Sequence, residues 1–148
     1  KIKAVEKKYG CLEFPEVDLQ LVFNITSEVM NISKVPKGTM VGRNYMAKED
    51  VLVATLPIGH KDGITKAIKF VGINGFKSEV ISDDIDKLFI KIDENIKVKD
   101  RVDILNEESD VYEMLDFLHT NRYYLMSILN RNLTRVYINQ EENIASIL

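Results

Sequence analysis

Between residues 19 and 26, every odd position is apolar and the even positions 20, 24 and 26 are polar. A period of two indicates a strand with one buried face. The alternation changes phase beyond Ser27, and apolar residues follow at Val29, Ile32 and Val35. Such a switch predicts a bulge or bend of the kind that lets a sheet curl toward a barrel. Pro36, Lys37 and Gly38 then end the run with turn residues.

Further strand-like runs follow in the middle of the chain, separated by turns that contain Gly, Asn or Asp. They lie at residues 51–56, 68–73, 77–81, 88–92 and 101–105. Asn74-Gly75 predicts a hairpin between two of them, because a type I′ turn needs positive φ at both central residues. This part of the chain is therefore predicted to be a small antiparallel β-structure.

A helical pattern replaces the alternation at Ser109. Ser109 or Asp110 can cap a helix, and Glu113 is placed to reach back to the freed amides. Four apolar residues then recur at helical spacing: Val111, Met114, Leu115 and Leu118. We read His119, just past this helix, as structural, because a cation interacts favourably with a helix C-terminus.

Thr120 or Asn121 can cap a second short helix, and residues 134–138 are predicted to form a last strand. The apolar residues of this helix expected to face the core are Leu125, Ile128 and Leu129. The predicted fold is therefore mainly β, a curled antiparallel sheet or small β-barrel with two short helices near 110–118 and 121–130.

Composition fits one domain over the 148 residues, with 45% apolar and 29% charged residues. The net charge of −3 is spread along the chain without a basic cluster, so we expect no nucleic-acid partner. No apolar run reaches the roughly 20 residues that span a bilayer, so we expect no membrane partner.

The single cysteine, Cys11, forms no internal disulfide, and we expect a cytoplasmic protein. The basic residues 1–8 have no apolar segment behind them, and we expect an excised fragment.

The segment Leu56-Pro57-Ile58-Gly59-His60-Lys61-Asp62-Gly63 resembles the (L/V)PIGYADG motif of alanine racemases. Further segments resemble that family in the same order. They are Tyr9-Gly10 with Ser27-Glu28-Val29, then residues 36–47, 74–92, 97–102 and 120–137. The resemblance covers about residues 9–137, which leaves 1–8 and 139–148 as terminal extensions of one domain, 1–148.

The resemblance implies a C-terminal β-domain of a fold-type III, pyridoxal-phosphate-dependent racemase, which follows a (β/α)8 barrel that this chain lacks. It also implies a head-to-tail homodimer, in which the domain lends residues to the barrel site of the partner subunit, with a small amino acid as substrate. The barrel holds the cofactor lysine. We therefore expect pyridoxal phosphate in a longer parent protein and none in this chain alone.

In the family, a barrel lysine and a tyrosine of the β-domain move the Cα proton from opposite faces. Counting back without gaps from Gly59 matches Tyr45 and Gly42 to the tyrosine segment, V(S/G)YG(x)TY. Val41 then falls at the position of the catalytic tyrosine. Matching the segment through Gly38 instead leaves that tyrosine in a two-residue deletion. Under either alignment the acid/base group is missing.

The rim of the family's site is matched in part. His60 stands where a tyrosine gates the substrate channel, and Ile85 before Asp86 replaces the methionine of a Met-Asp pair. Tyr45 completes this expected rim. Tyr123 matches a tyrosine near the cofactor phosphate and the channel gate.

Two side chains are candidates to replace the missing base. His60 can act as an acid/base group, since imidazole titrates near neutral pH, or it can be an ordinary loop histidine. Tyr45 is four residues beyond Val41, which along an extended strand is roughly 13 Å. A cation site at Asp83, Asp84 and Asp86 lacks the glycine and terminal glutamate of an EF-hand loop, and we expect a solvated turn there.

Three functions remain open. The first is a degenerate racemase-like protein whose C-terminal domain keeps the fold and the dimer, with racemisation lost or altered. The second is an active amino-acid racemase or epimerase that uses His60 or a barrel residue as second base. The third is a free-standing β-barrel binding module without a cofactor.

Overall fold

The computed structural model describes residues 23–106, 108–120, 127–129 and 133–136. These residues form nine strands, one 3-10 turn and one complete α-helix, and Ser127 and Ile128 belong to a further helical segment. The strands are β1 (Ile25–Glu28), β2 (Asn31–Val35), β3 (Met40–Val41), β4 (Tyr45–Met46), β5 (Val51–Leu56), β6 (Phe70–Ile73), β7 (Phe76–Asp83), β8 (Leu88–Ile92) and β9 (Arg101–Leu105). The 3-10 turn spans His60–Asp62, and helix α1 spans Glu108–Phe117.

Seven strands form one antiparallel sheet in the order β1-β9-β6-β7-β8-β5-β2. Its two edge strands, β1 and β2, are consecutive in the chain and are separated only by Val29 and Met30. The Val29 amide donates to the Asp100 carbonyl at 3.0 Å, and the Met30 amide donates to the Thr55 carbonyl at 2.9 Å. One bent strand thus joins both edges and curls the sheet toward a barrel. The predicted mainly β, curled antiparallel fold is confirmed.

The interior of the curled sheet holds the main apolar core, because alternate residues of each strand point inward. In β8, Leu88, Ile90 and Ile92 are buried in this core, whereas Phe89 packs on a second cluster on the outer side. The second cluster consists of Val41, Ala47, Val51, Val53 and Ile81, with Val35, Tyr45 and Phe89 packed against it. The strands therefore bury residues on both faces.

Three predicted strands, at 51–56, 88–92 and 101–105, coincide with β5, β8 and β9. Asn74 and Gly75 have φ values of 50° and 82°, which confirms the predicted turn with positive φ at both positions. Strand β6 begins at Phe70 rather than at residue 68, because Ile68 still lies in a turn, where its amide donates to the Thr65 carbonyl. Of the predicted strand at 19–26, residues 19–22 lie outside the described ranges.

Helix α1 begins at Glu108, so the predicted caps at Ser109 and Asp110 are wrong. Asp110 is the third helical residue, and its carboxylate accepts from the Asn106 amide at 3.2 Å. The predicted apolar stripe is confirmed, with Val111, Met114 and Leu115 buried and Leu118 packed against the core.

His119 ends this helix in the left-handed conformation, with φ 49°. The amides of His119 and Thr120 donate to the carbonyls of Asp116 and Leu115, which is the Schellman arrangement. Its main chain thus closes the helix, in keeping with a structural role.

The C-terminal predictions are only partly within the described residues. Ser127 and Ile128 are helical, and Ile128 and Leu129 pack on the core, whereas the rest of the predicted helix 121–130, with Leu125, lies outside them. Residues 134–136 do not form a strand, so the predicted last strand is wrong there. Within the described ranges, no helix is long and apolar enough to cross a membrane.

Asp100 connects the turn before β9 to the turn between β6 and β7. Its Oδ2 accepts from the Lys97 amide and from the Asn74 side-chain amide, both at 2.9 Å. These hydrogen bonds, that of the Lys97 amide first, lower the pKa of the Asp100 carboxyl. A lowered folded-state pKa adds stability above the ordinary pKa, and this stability is lost as the pH falls through the folded value.

We therefore expect Asp100→Asn to lower the free energy of unfolding at pH 7, by an amount that shrinks as the pH falls toward 3. Urea unfolding of both proteins across this pH range measures the difference. Asp93→Asn, a change at an exposed turn residue, is the matched control. A stability difference that grows at low pH contradicts the assignment.

Candidate functional site

Strands β3 and β4 form a tight hairpin that carries two predicted site residues. Val41 pairs with Tyr45 across it, and Met40 pairs with Met46. Directly opposed residues of an antiparallel pair lie about 4.5–5.5 Å apart at Cα, with side chains on the same face. The expectation that Tyr45 lies roughly 13 Å from position 41 along a strand is therefore wrong, since residues 42–44 turn the chain back.

The hairpin packs closely on β7 and β8. A Cβ atom added at Gly42, which has φ 56°, would lie 2.5 Å from Ser82 Oγ and 2.9 Å from the Phe89 ring. The Asn44 amide donates to the same Ser82 Oγ at 3.4 Å. Val41 is only 6% exposed in the second cluster. Position 41 thus holds an apolar side chain that packs the hairpin against the seven-stranded sheet.

The segment after β5 folds into a turn around Gly59. The Asp62 carboxylate accepts from the Gly59 amide at 3.1 Å, and the Asp62 amide donates back to the Gly59 carbonyl at 2.9 Å. Gly63 ends the turn with φ 81°, a left-handed conformation that favours glycine. The bonds fix the main chain of His60, which lies between these residues.

This turn is bonded to the loop between β7 and β8. The amides of His60 and Lys61 donate to the carbonyls of Asp84 and Ile85, at 3.1 and 2.8 Å. The Asp84 amide donates to the Lys87 carbonyl, so residues 84–87 form a turn of their own. Ile85 and Asp86 lie at its exposed tip, and Ile85 is 64% exposed. The structure therefore brings three predicted rim residues, His60, Ile85 and Asp86, to one edge.

His60 also has a side-chain partner that the sequence did not reveal. Its Nε2 lies 2.9 Å from Oδ2 of Asp83, which is 4% exposed and also accepts from the Lys66 amide at 2.7 Å. The prediction of a solvated turn is thus wrong for Asp83. The His60 side chain itself is 41% exposed. A buried carboxylate holding a half-open imidazole is an arrangement that can move protons.

The two halves of the site meet at the end of β7. Ser82 contacts the hairpin and the next residue, Asp83, contacts His60. Tyr123, the predicted residue near the cofactor phosphate, lies outside the described residues. Among the described residues, no group of three or more His, Cys, Asp or Glu side chains could hold a metal ion.

A charged pair lies beside the hairpin, where Lys91 Nζ and Glu49 Oε1 are 2.9 Å apart. The hydrogen bond and the charge of Lys91 lower the pKa of Glu49, and the reciprocal bond and charge raise the pKa of Lys91. The field of Tyr45 adds a smaller rise to the pKa of Lys91. Lys91, the charged group that interacts with Tyr45, is thus already paired with Glu49.

Comparison with known proteins gives the family to which this fold belongs. The family profile described as "Alanine racemase, C-terminal domain" matches residues 22–137. The chain is 29% identical to an alanine racemase of Clostridium novyi over 152 aligned positions, which cover 90% of this chain and 39% of that protein. It therefore spans about two fifths of this curated relative.

Solved structures show the same fold. An alanine racemase of Clostridium difficile 630 in complex with cycloserine matches with a TM-score of 0.70 and 28% identity, over 80% of this chain and 34% of that one. An alanine racemase of Bartonella henselae with covalently bound pyridoxal phosphate matches in fold, with a TM-score of 0.68 and 19% identity, over 78% and 34%. The chain belongs to the alanine racemase family, as a C-terminal domain.

The close fit of the hairpin predicts a strong effect of Gly42→Ala. The new methyl group meets Ser82 and Phe89, and the left-handed backbone is strained for alanine. We expect a loss of about 2–4 kcal/mol in the free energy of unfolding, from strain and overpacking together.

Gly72→Ala is the matched control, because a Cβ there meets its nearest atom, Asp103 Cβ, at an ordinary 3.5 Å. Its effect should lie within about 0.5 kcal/mol of zero. Urea denaturation of the three proteins measures both changes. Equal stability of the two variants contradicts the described packing of the hairpin.

Proposed function

We propose that this chain is the C-terminal domain of a racemase-like protein in which tyrosine-dependent proton transfer is lost or altered. In this role the domain contributes to a homodimer and lines the rim of the partner subunit's cofactor site. One observation carries the proposal. Val41, which the ungapped alignment matches to the catalytic tyrosine of the family, lies in a paired hairpin and is buried among apolar side chains.

Valine neither donates nor accepts a proton, so Val41 cannot perform acid/base catalysis. Loss of a general acid or base typically lowers the rate about 10²–10⁴-fold. What remains at this edge is a set of rim residues, Tyr45, His60, Ile85 and Asp86. Their phenol, imidazole and carboxylate groups are suited to orienting a small amino acid.

The cofactor itself does not fit on the described part of this chain. A lysine that forms a Schiff base needs a desolvated pocket, and every described lysine is exposed or half-buried. We therefore place pyridoxal phosphate in a barrel of the longer parent, where it would stabilise the charge that develops at Cα. A cytoplasmic location likewise stays a prediction.

The second candidate is an active amino-acid racemase or epimerase with another second base. The contact between His60 and the buried Asp83 favours this reading over an ordinary loop histidine. The third candidate, a binding module without a cofactor, has the least support, since the family match extends through most of the chain.

Val41→Tyr in the full-length parent should recover part of a lost racemase activity, because it restores a phenol on the intact hairpin. Recovery will be incomplete, because a larger side chain in this buried cluster costs about 1–3 kcal/mol. The measurement is alanine racemisation by wild type, Val41→Tyr and Val41→Phe, where Val41→Phe adds similar bulk without the hydroxyl. A wild type as fast as ordinary racemases contradicts the proposal.

The isolated chain should neither racemise alanine nor bind pyridoxal phosphate covalently, because it lacks both the barrel lysine and the catalytic tyrosine. Absorbance spectra and a chiral assay of the purified chain test this, with the full-length parent as control. Racemisation by the chain alone would contradict the assignment of the cofactor site to the barrel.

A further inference from the structure

We propose that Asn74 is a site of spontaneous deamidation, which its hydrogen bond to Asp100 slows and whose product breaks that hydrogen bond. The product is an aspartate or an isoaspartate at the tip of the β6–β7 hairpin. The reaction uses only the chain and water, so it involves neither the rim residues nor a cofactor.

The dipeptide Asn74-Gly75 has the chemistry that deamidation needs. Asparagine is a thermally labile residue, and each of the other asparagines in the chain precedes a residue with a side chain. Glycine has no Cβ, so it leaves the backbone nitrogen that attacks the side-chain amide unhindered. Both residues are exposed, and a Cβ atom added at Gly75 would meet nothing within 4 Å. Water therefore reaches this turn, and a ring has room to form.

The reaction balances with water as the one co-reactant. The Gly75 nitrogen bonds to Cγ of Asn74, the bond from Cγ to Nδ2 breaks, and the proton of the Gly75 nitrogen leaves with the released ammonia. Water then opens the resulting cyclic imide. Opening at Cγ gives aspartate, whereas opening at the main-chain carbonyl carbon gives isoaspartate, whose backbone contains an additional carbon. Nothing is oxidised or reduced.

The folded turn holds the side chain away from this reaction. Asn74 and Gly75 have φ values of 50° and 82°, and Nδ2 of Asn74 donates to Oδ2 of Asp100 at 2.9 Å. Ring closure requires the side chain to rotate onto its own backbone and release Nδ2, so this hydrogen bond must break first. The rate therefore follows a local opening of the contact with Asp100, rather than unfolding of the core.

Asp100 is a fixed partner, because its other polar groups are bonded as well. Its amide donates to the Lys97 carbonyl at 3.1 Å, and its carbonyl accepts from the Val29 amide at 3.0 Å. The Lys97 amide and, after it, the Asn74 side chain lower the pKa of the Asp100 carboxyl, which keeps this group charged at neutral pH. The hydrogen bond from Asn74 thus connects the hairpin tip to the bend at Val29.

Deamidation replaces the donor in this contact by a second carboxylate. Ionised carboxylates only accept hydrogen bonds, so the bond between positions 74 and 100 is lost. Two like charges then face each other, which destabilises the folded state. The deamidated chain is therefore less stable at neutral pH than the unmodified chain.

Peptide mapping by mass spectrometry, after incubation of the chain at mildly alkaline pH, measures the conversion of each asparagine. Asn74 should convert faster than Asn95, an exposed turn asparagine that precedes the β-branched Ile96. Asp100→Ala should speed conversion at Asn74 about 2- to 10-fold, which is the factor that one hydrogen bond contributes to an equilibrium. A wild type in which Asn74 converts no faster than Asn95 overturns the proposal, as does an unchanged rate in Asp100→Ala.

Gly42→Ala is the matched control for a general loss of stability, because its added methyl group meets Ser82 and Phe89 and not the turn at Asn74. Conversion at Asn74 in this variant should stay within about twofold of wild type, since the local opening is unaffected. Circular dichroism checks that both variants are folded. Equal acceleration by Gly42→Ala and Asp100→Ala would show that global unfolding sets the rate and would overturn the role given to Asp100.

Asn74→Asp tests the consequence of the reaction, because aspartate tolerates positive φ as asparagine does. It should lower the urea concentration at the unfolding midpoint at pH 7. The difference from wild type should shrink as the pH falls, because protonation removes one of the two facing charges. Asn95→Asp adds the same charge at an exposed turn and should shift the midpoint less. Equal midpoints for Asn74→Asp and wild type at pH 7 contradict the proposed loss of contact with Asp100.

Discussion

The structure depends on one bent strand, residues 25–35, that serves both edges of the sheet. Its first half pairs with β9 and its second half with β5, and Val29 between them is 1% exposed. The Lys99 amide donates to the Val29 carbonyl at 2.8 Å, so the bend is bonded on both of its main-chain polar groups. Since one continuous stretch of chain supplies both edge strands, the two edges are tied together and the sheet must curl, so that the inward faces of its strands form one core.

Strand β7 is shared in the same way and places the candidate site. Residues 76–79 pair with β6, whereas Val80, Ser82 and Asp83 pair with β8. The register shifts between Val80 and Ser82, which leaves Ile81 as an extra residue. A bulge reverses which side the following residues face. Ser82 is thereby directed with Phe89 toward the hairpin, and Asp83 lies on the Leu88 side, where it meets His60.

Much of this fold could be predicted from the sequence, because strands β5, β8 and β9 are long enough to show a burial pattern. The turn at Asn74-Gly75 was equally predictable, since its backbone requires those residue types. Strands β3 and β4 have two residues each and show no period. The pairing of Val41 with Tyr45 could therefore not be predicted. Counting residues along an extended chain gave a wrong distance between these two residues.

The contact of His60 with Asp83 could not be predicted for a different reason. The two residues are 23 positions apart, and the bulge at Ile81 decides which side of β7 the Asp83 carboxylate faces. Three nearby aspartates suggested only a metal site or a solvated turn. The local sequence motif thus identified the turn around His60 as a rim segment, but it did not identify Asp83 as the partner of His60.

The two halves of the rim, the hairpin with Val41 and the turn with His60, differ in how far their side chains are buried. Val41 packs with Ala47, Val51 and Val53, and a polar group placed there would lose water without a described partner, at a cost of about 1–3 kcal/mol. His60 is half open to solvent and its carboxylate partner is already in place. The side chain at position 41 therefore packs the hairpin against the seven-stranded sheet of this domain. At this edge, the exposed imidazole with a buried carboxylate partner is on the His60 turn, which β7 holds through Asp83.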